Sequence, residues 1–118
     1  SRIGVSHPKL LAVVKAMEDN LEEPLPQTAI ARETGLSTRQ LERLFRKYLN
    51  TTPTRYYLNL RLARARHLLR QTSMSILSVA LACGFVSASH FSKCYRECYD
   101  RTPRAERSPD ETSQTIII

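Results

Sequence analysis

At 118 residues the chain fits one small domain, and with 42% hydrophobic and 25% charged residues it has the make-up of an ordinary globular protein. The absence of Trp, the presence of only 3 Gly and the lack of Asn-Gly hairpin dipeptides argue against an all-β fold, and no apolar run approaches the ~18–20 residues needed to span a membrane. The net charge of +7 is placed unevenly, with a net of −1 over residues 1–34, +10 over residues 35–107 and −2 beyond, so the basic surplus favours a polyanionic partner over a merely solvated basic face.

In chain order, Ser6 or His7 caps a first helix that tolerates Pro8 in its first turn. Leu10, Val14, Met17 and Leu21 give that helix one apolar face, and Glu22-Glu23-Pro24 ends it. Pro26 opens a second helix that buries Ile30 and Ala31 and stops at Gly35, a residue suited to the left-handed position after a helix end. Ser37 caps the third helix, and Gln40 completes a capping box. Leu41, Leu44, Phe45 and Tyr48 are expected inside, while Arg39, Glu42, Arg43, Arg46 and Lys47 fall outside.

Thr52-Pro53 restarts the chain as a long fourth helix to about Arg70, with Tyr56, Leu60 and Ala63 on its apolar side and Arg61, Arg64 and Arg66 adding charge. A helix of ~18 residues spans about 27 Å, near the ~34 Å of one DNA turn. Ser75 caps a fifth helix whose inner face is Ile76, Val79, Ala80 and Cys83. Gly84 turns the chain, Ser87 caps a sixth helix packed through Phe91, Cys94, Tyr95 and Cys98, and Thr102-Pro103 opens a short last helix near Arg107. The end, with its Ile116–Ile118 cluster, has no periodicity and is expected to be a loose tail.

These elements form a repeat. Ala31, Gly35 and Leu36 match Ala80, Gly84 and Phe85. After one extra residue in the second turn, Leu41, Phe45, Leu49, Thr52 and Pro53 match Phe91, Tyr95, Tyr99, Thr102 and Pro103. The expected fold is therefore all-α: about seven helices forming two helix-turn-helix subdomains, residues 7–52 and 73–107, joined by a linker helix at 53–72, with 108–118 as tail.

A helix-turn-helix sets the start of its second helix in the major groove, so residues after the Ser37 and Ser87 caps reach base edges. Arg43 has the donors to read guanine, and Glu42 can accept from cytosine N4. The second reading helix is less ionic: Ala88 suits a thymine methyl, His90 donates or accepts by tautomer, and Lys93 is its strongly basic candidate. The first copy is thus expected to read with charge and the second with shape and weaker contacts.

The order and spacing resemble the DNA-binding domain of the AraC/XylS family of bacterial transcription regulators. The resemblance rests on Ser75-Ile76, Val79-Ala80, Gly84-Phe85, Ser87, Ser89, Phe91-Ser92, Tyr95 and Thr102-Pro103, and in the linker on Arg61-Leu62, Ala65-Arg66 and Leu68-Leu69; it covers about residues 7–107. It implies two reading helices in successive major grooves of double-stranded DNA, in the C-terminal part of a regulator that activates transcription. The base-facing positions it implies are Arg39, Glu42 and Arg43, then Ala88, Ser89, His90, Ser92 and Lys93. Those near phosphates are Ser37, Thr38, Arg46, Lys47, Ser87 and Arg96. The second reader departs from relatives of that family that carry longer amides at the places of Ala88 and Ser89.

The resemblance also implies contact with RNA polymerase, dimerisation through an N-terminal domain outside this chain, and a cytoplasmic, nucleoid-associated location. The start at Ser1 rather than Met agrees with a fragment, and the stretch HPKLLAVVKAMEDNLEEPL resembles members whose N-terminal half is glutamine-amidotransferase-like.

Other functions are weaker readings. His90, Cys94 and Cys98 could be imagined on a zinc ion, but they lack a C-x₂-C pair, and cysteines at core-phase positions pack as small hydrophobes. Three cysteines give no disulfide framework and fit a reducing compartment. No catalytic motif is present, so no enzyme, cofactor or metal is expected. A helical protein-interaction domain with a basic surface is the main rival.

Overall fold

The computed structural model describes residues 7–108. Among them are seven α-helices and no strand: α1 (Pro8–Glu18), α2 (Gln27–Thr34), α3 (Thr38–Leu49), α4 (Pro53–Gln71), α5 (Ile76–Ala82), α6 (Ala88–Tyr99) and α7 (Pro103–Arg107). The chain divides into two compact units, with the division inside α4 between Leu60 and Arg61.

In the first unit, Leu10, Val13, Val14 and Met17 of α1 pack with Ile30 and Ala31 of α2, Leu41 and Phe45 of α3 and Tyr57 of α4. Each large apolar side chain buried in this way stabilises by roughly 1.5–3 kcal/mol relative to exposure. The second unit buries Leu62, Ala65 and Leu69 of α4, Val79 and Ala80 of α5, Cys83 and Phe85 of the turn, and Phe91 and Tyr95 of α6. Its aromatic rings follow one another, with centroids 5.2 Å apart for Phe85 and Phe91, 5.7 Å for Phe91 and Tyr95, and 4.8 Å for Tyr95 and Tyr99.

Both turns are built alike. Gly35 sits at φ 72° and Gly84 at φ 86°, a region that costs a side chain but not glycine. Leu36 N–H donates to Ala31 O and Gly35 N–H to Arg32 O. The same pair recurs as Phe85 to Ala80 and Gly84 to Leu81. This is the Schellman closure, in which the residue after the glycine folds back as an apolar plug. The caps also agree with expectation. Ser37 forms a full capping box with Gln40, while Ser75, Ser87 and Thr102 accept from Ser78, His90 and Ala105 N–H. His7 caps α1 through its imidazole, which accepts from Leu10 N–H.

Several details differ from the sequence reading. α1 ends at Glu18, because Asp19 and Asn20 N–H turn back onto Lys15 and Met17 carbonyls, so Leu21 packs on the core from a loop. Pro26 precedes α2 as its N-cap residue rather than entering it. Tyr48 is 37% exposed instead of internal. Ala63 is exposed, the buried stripe of α4 being Tyr57, Leu62, Ala65 and Leu69. Of the three cysteines only Cys83 is buried; Cys94 is half-buried and Cys98 exposed, since the covered line of α6 is Phe91 and Tyr95. The Ile116–Ile118 cluster lies outside the described residues.

Two arginines of α4 are structural rather than free. Arg61 donates to the Cys83 and Gly84 carbonyls, each at 2.8 Å, and its guanidinium stacks 4.3 Å from the Phe85 ring centre. Arg66 faces the buried carboxylate of Glu106, which also receives Arg70 at 2.8 Å and the Tyr95 hydroxyl at 2.8 Å. Arg101 completes the cluster at 3.8 Å. Burial would raise the Glu106 pKa, but hydrogen bonds from Arg70 and Tyr95 and the Arg66 charge hold it below the ordinary glutamate value. Burial and the neighbouring Glu106 push the Tyr95 phenol up, so it stays protonated and donating.

Candidate nucleic-acid interface

The site begins with the two serine-capped helices. On α3, Arg39, Glu42, Arg43 and Arg46 recur at i, i+3, i+4 and i+7, which places them on one face, and all four are exposed. Ser37, Thr38 and Lys47 are exposed beside them. Leu41 and Phe45, both 0% exposed, fix the opposite face of α3 in the core and so fix the direction of the polar one. Arg39, Arg43 and Arg46 pair with no other described residue, so their donors are available to a ligand. Glu42 accepts a long hydrogen bond of 3.4 Å from Gln27 of α2, a contact the sequence reading missed because it joins two helices.

On α6, Ser89, Ser92, Lys93 and Arg96 repeat the same spacing, with Ala88 in the first turn. Ser89, His90, Lys93 and Arg96 are exposed, and Ala88, Ser92 and Ser87 are half-buried. Phe91 and Tyr95, at 0% exposure, anchor the inner face. His90 is not free to point at will: its ring packs 5.8 Å from Phe85 and its Nε2 lies 3.5 Å from the Cys94 sulfur. Each unit therefore carries its own set of expected reading residues on one helix, and on α6 Ala88 and His90 flank the stripe formed by Ser89, Ser92, Lys93 and Arg96.

The electrostatics of the two faces differ. The α3 surface carries Arg39, Arg43, Arg46 and Lys47 against Glu42, whereas α6 carries Lys93 and Arg96 against Glu97. No group of three or more His, Cys, Asp or Glu with metal-site geometry occurs among the described residues, and no described helix is long and apolar enough to cross a membrane.

A family description of a helix-turn-helix domain matches residues 30–108. A solved structure of a transcriptional regulator from Chromobacterium violaceum, of the AraC-type DNA-binding-domain kind, is 58% identical with a TM-score of 0.82, covering 85% of this chain and 89% of that one. The chain belongs to the AraC-type helix-turn-helix family. The HTH-type transcriptional regulator GbdR of Pseudomonas aeruginosa is 54% identical over 116 residues, which is 98% of this chain and 32% of GbdR. The chain thus spans about a third of the length of the curated relatives it matches. The DNA-binding domain of the global transcriptional factor AdpA, solved in complex with a target DNA, is 27% identical with a TM-score of 0.79, covering 84% of this chain and 89% of that one.

Proposed function

We propose that the domain binds double-stranded DNA in a sequence-specific way, with α3 and α6 each entering a major groove, the two grooves being successive along one duplex. The observation that carries this is the exposed polar face of α3, on which Arg39, Arg43 and Arg46 stand without partners among the described residues, opposite the buried Leu41 and Phe45. Arg39, Glu42 and Arg43 read bases on α3, and Ala88, Ser89, His90, Ser92 and Lys93 on α6. Ser37, Thr38, Arg46, Lys47, Ser87 and Arg96 lie against phosphates, helped by the free N–H groups of the capped helix starts. Residues 7–52 and 73–107 act as the two gripping modules and 53–72 as the helix that joins them. Kinship with AraC-type domains, one of them solved on its target DNA, supports the reading.

In the whole regulator, activation of transcription, contact with RNA polymerase, dimerisation through a further domain and residence on the nucleoid belong to the same proposal. Equilibrium binding to a duplex selected from a random pool, followed against salt, tests it. The expected result is tight binding whose logarithm falls steeply with the logarithm of salt concentration, because each neutralised phosphate releases counterions. Flat, weak binding to every duplex at low salt would overturn it.

A further inference from the structure

We propose that the groove between the start of α1 and the side of α3 is a seat for one phosphate of the DNA backbone, and that Lys9 is the residue that completes it. The inference rests on the DNA reading above and extends the interface to an element outside the helix-turn-helix itself. The groove has a volume of about 650 Å³, and its walls include His7, Lys9, Gln40, Arg43, Lys47 and Tyr48. Among the described residues that line it are three cations and no carboxylate. Like charges gathered without a counter-charge repel one another, and an anion between them relieves that repulsion.

Two of the cations, Arg43 and Lys47, lie one turn apart on α3, and folding brings the third, Lys9, to them from α1. Packing of α1 and α3 into one core sets Lys9 beside the turn, where its ammonium lies 3.4 Å from the Gly35 carbonyl. Among the described residues, that long contact is its one hydrogen bond, which leaves donors of the ammonium to spare. The Lys47 ammonium stands 5.3 Å from the Tyr48 ring centre, and the same ring meets His7 at 5.5 Å, so aromatic surface forms part of the groove wall beside Lys47. Arg43 and Lys47 belong both to the groove and to α3, whose adjoining face is the one read against the duplex. The anion that reaches this place is therefore a backbone phosphate flanking the bases being read, rather than a free solute.

The second copy provides an internal comparison. Counting from the serine caps, the counterpart of Lys47 is Glu97, and that of Gln40 is His90. The α6 positions that correspond to the α3 wall of the groove are thus His90, Lys93, Cys94 and Glu97, so a carboxylate stands where the first unit has the Lys47 ammonium, and the seat belongs to the first unit.

Lys9→Gln tests the proposal, with Lys9→Arg as the charge-retaining control. Lys9 is exposed, so both variants are expected to melt as wild type does. On a selected duplex and on a random one, Lys9→Gln should weaken binding by the same factor and reduce the salt slope by about 0.9, while Lys9→Arg restores both. Replacing single phosphates by neutral methylphosphonates should reveal one position that weakens wild type and has no further effect on Lys9→Gln. A wild-type protein with a steep salt slope and a Lys9→Gln variant indistinguishable from it would overturn the seat and leave the DNA reading intact. Flat binding by wild type itself would overturn the reading beneath it. If Lys9→Gln abolished binding of inorganic phosphate but changed nothing on duplexes, the groove would be a small-anion site and the assignment to DNA would fall.

Discussion

Arg43 and Lys47 stand one helical turn apart on α3, and their chemistry gives them different work. Arg43 carries a planar fork of donors that matches the guanine edge, whereas Lys47 is a mobile point charge. Arg43→Ala is expected to lose about 1–3 kcal/mol of affinity, confined to one base position. Lys47→Ala should weaken all sequences alike and lower the salt slope by about 1. Binding of both variants to selected and random duplexes distinguishes the roles, and identical behaviour would contradict them. The outward residues of α3 were legible in the sequence because each falls opposite Leu41 and Phe45 in the helical period. Tyr48, Ala63 and Cys98 were not, because periodicity gives the direction of an apolar face and not how wide a sector the neighbours cover. The duties of Arg61 and Arg66 were hidden for another reason: their partners, Cys83, Gly84 and Glu106, lie 22 to 40 positions further along the chain.

The turns are where sequence and helix geometry agree most closely. Gly84 at φ 86° places its backbone where an L-residue is strained by roughly 1–2 kcal/mol, more for a β-branched one. Gly84→Val should therefore lower the melting temperature of the second unit while leaving the ellipticity of the first, and an unchanged thermal transition would show the turn to be less demanding than its geometry. The glycines and serine caps could be read directly because each has a local signature. The ends of α3 and α6 could not. Asn50 at φ 54° and Asp100 at φ 59° take the left-handed position there, at matching places in the two copies. Both are residue types that tolerate that region, but neither announces it as glycine does. The positions just beyond show the same division of labour in different chemistry. Tyr57 hydroxyl bridges Asn20 O and Leu25 N, tying the loop before α2. Its counterpart Arg107 donates to Leu69, Thr72 and Met74 carbonyls, tying the loop before α5.

Across the molecule the two units are held by different forces. Phe45 meets Tyr56 edge-on in the first, at 5.5 Å, and the counterparts in the second are Tyr95 and Glu106, joined by a hydrogen bond. Among the described residues the buried carboxylate, Glu106, belongs to the second unit and gives that unit an acid-sensitive centre. Because the folded pKa of Glu106 is lowered, its contribution is present above the unfolded glutamate value of about 4.3 and is lost as pH falls below that, through the lowered value. Acid titration followed by tyrosine fluorescence and circular dichroism should show the second unit weakening before the first. Glu106→Gln should remove that difference and cost about 3 kcal/mol at neutral pH, the low end for breaking a buried pair because Arg66 and Arg70 remain partly exposed. Equal acid sensitivity in wild type and variant would refute the assignment. The two-copy architecture was legible because the repeat is explicit, whereas this ionic cluster was not, since the first copy has Tyr56 at the corresponding place. The extra turn residue, Val86, is 90% exposed and contributes little to the core. It shifts the correspondence between copies from 49 positions at the glycines to 50 at the serines. Anyone grafting the first reading surface onto the second scaffold must count from the caps: a transplant registered on the glycines would rotate every grafted side chain by about 100° and turn the new face away from its target.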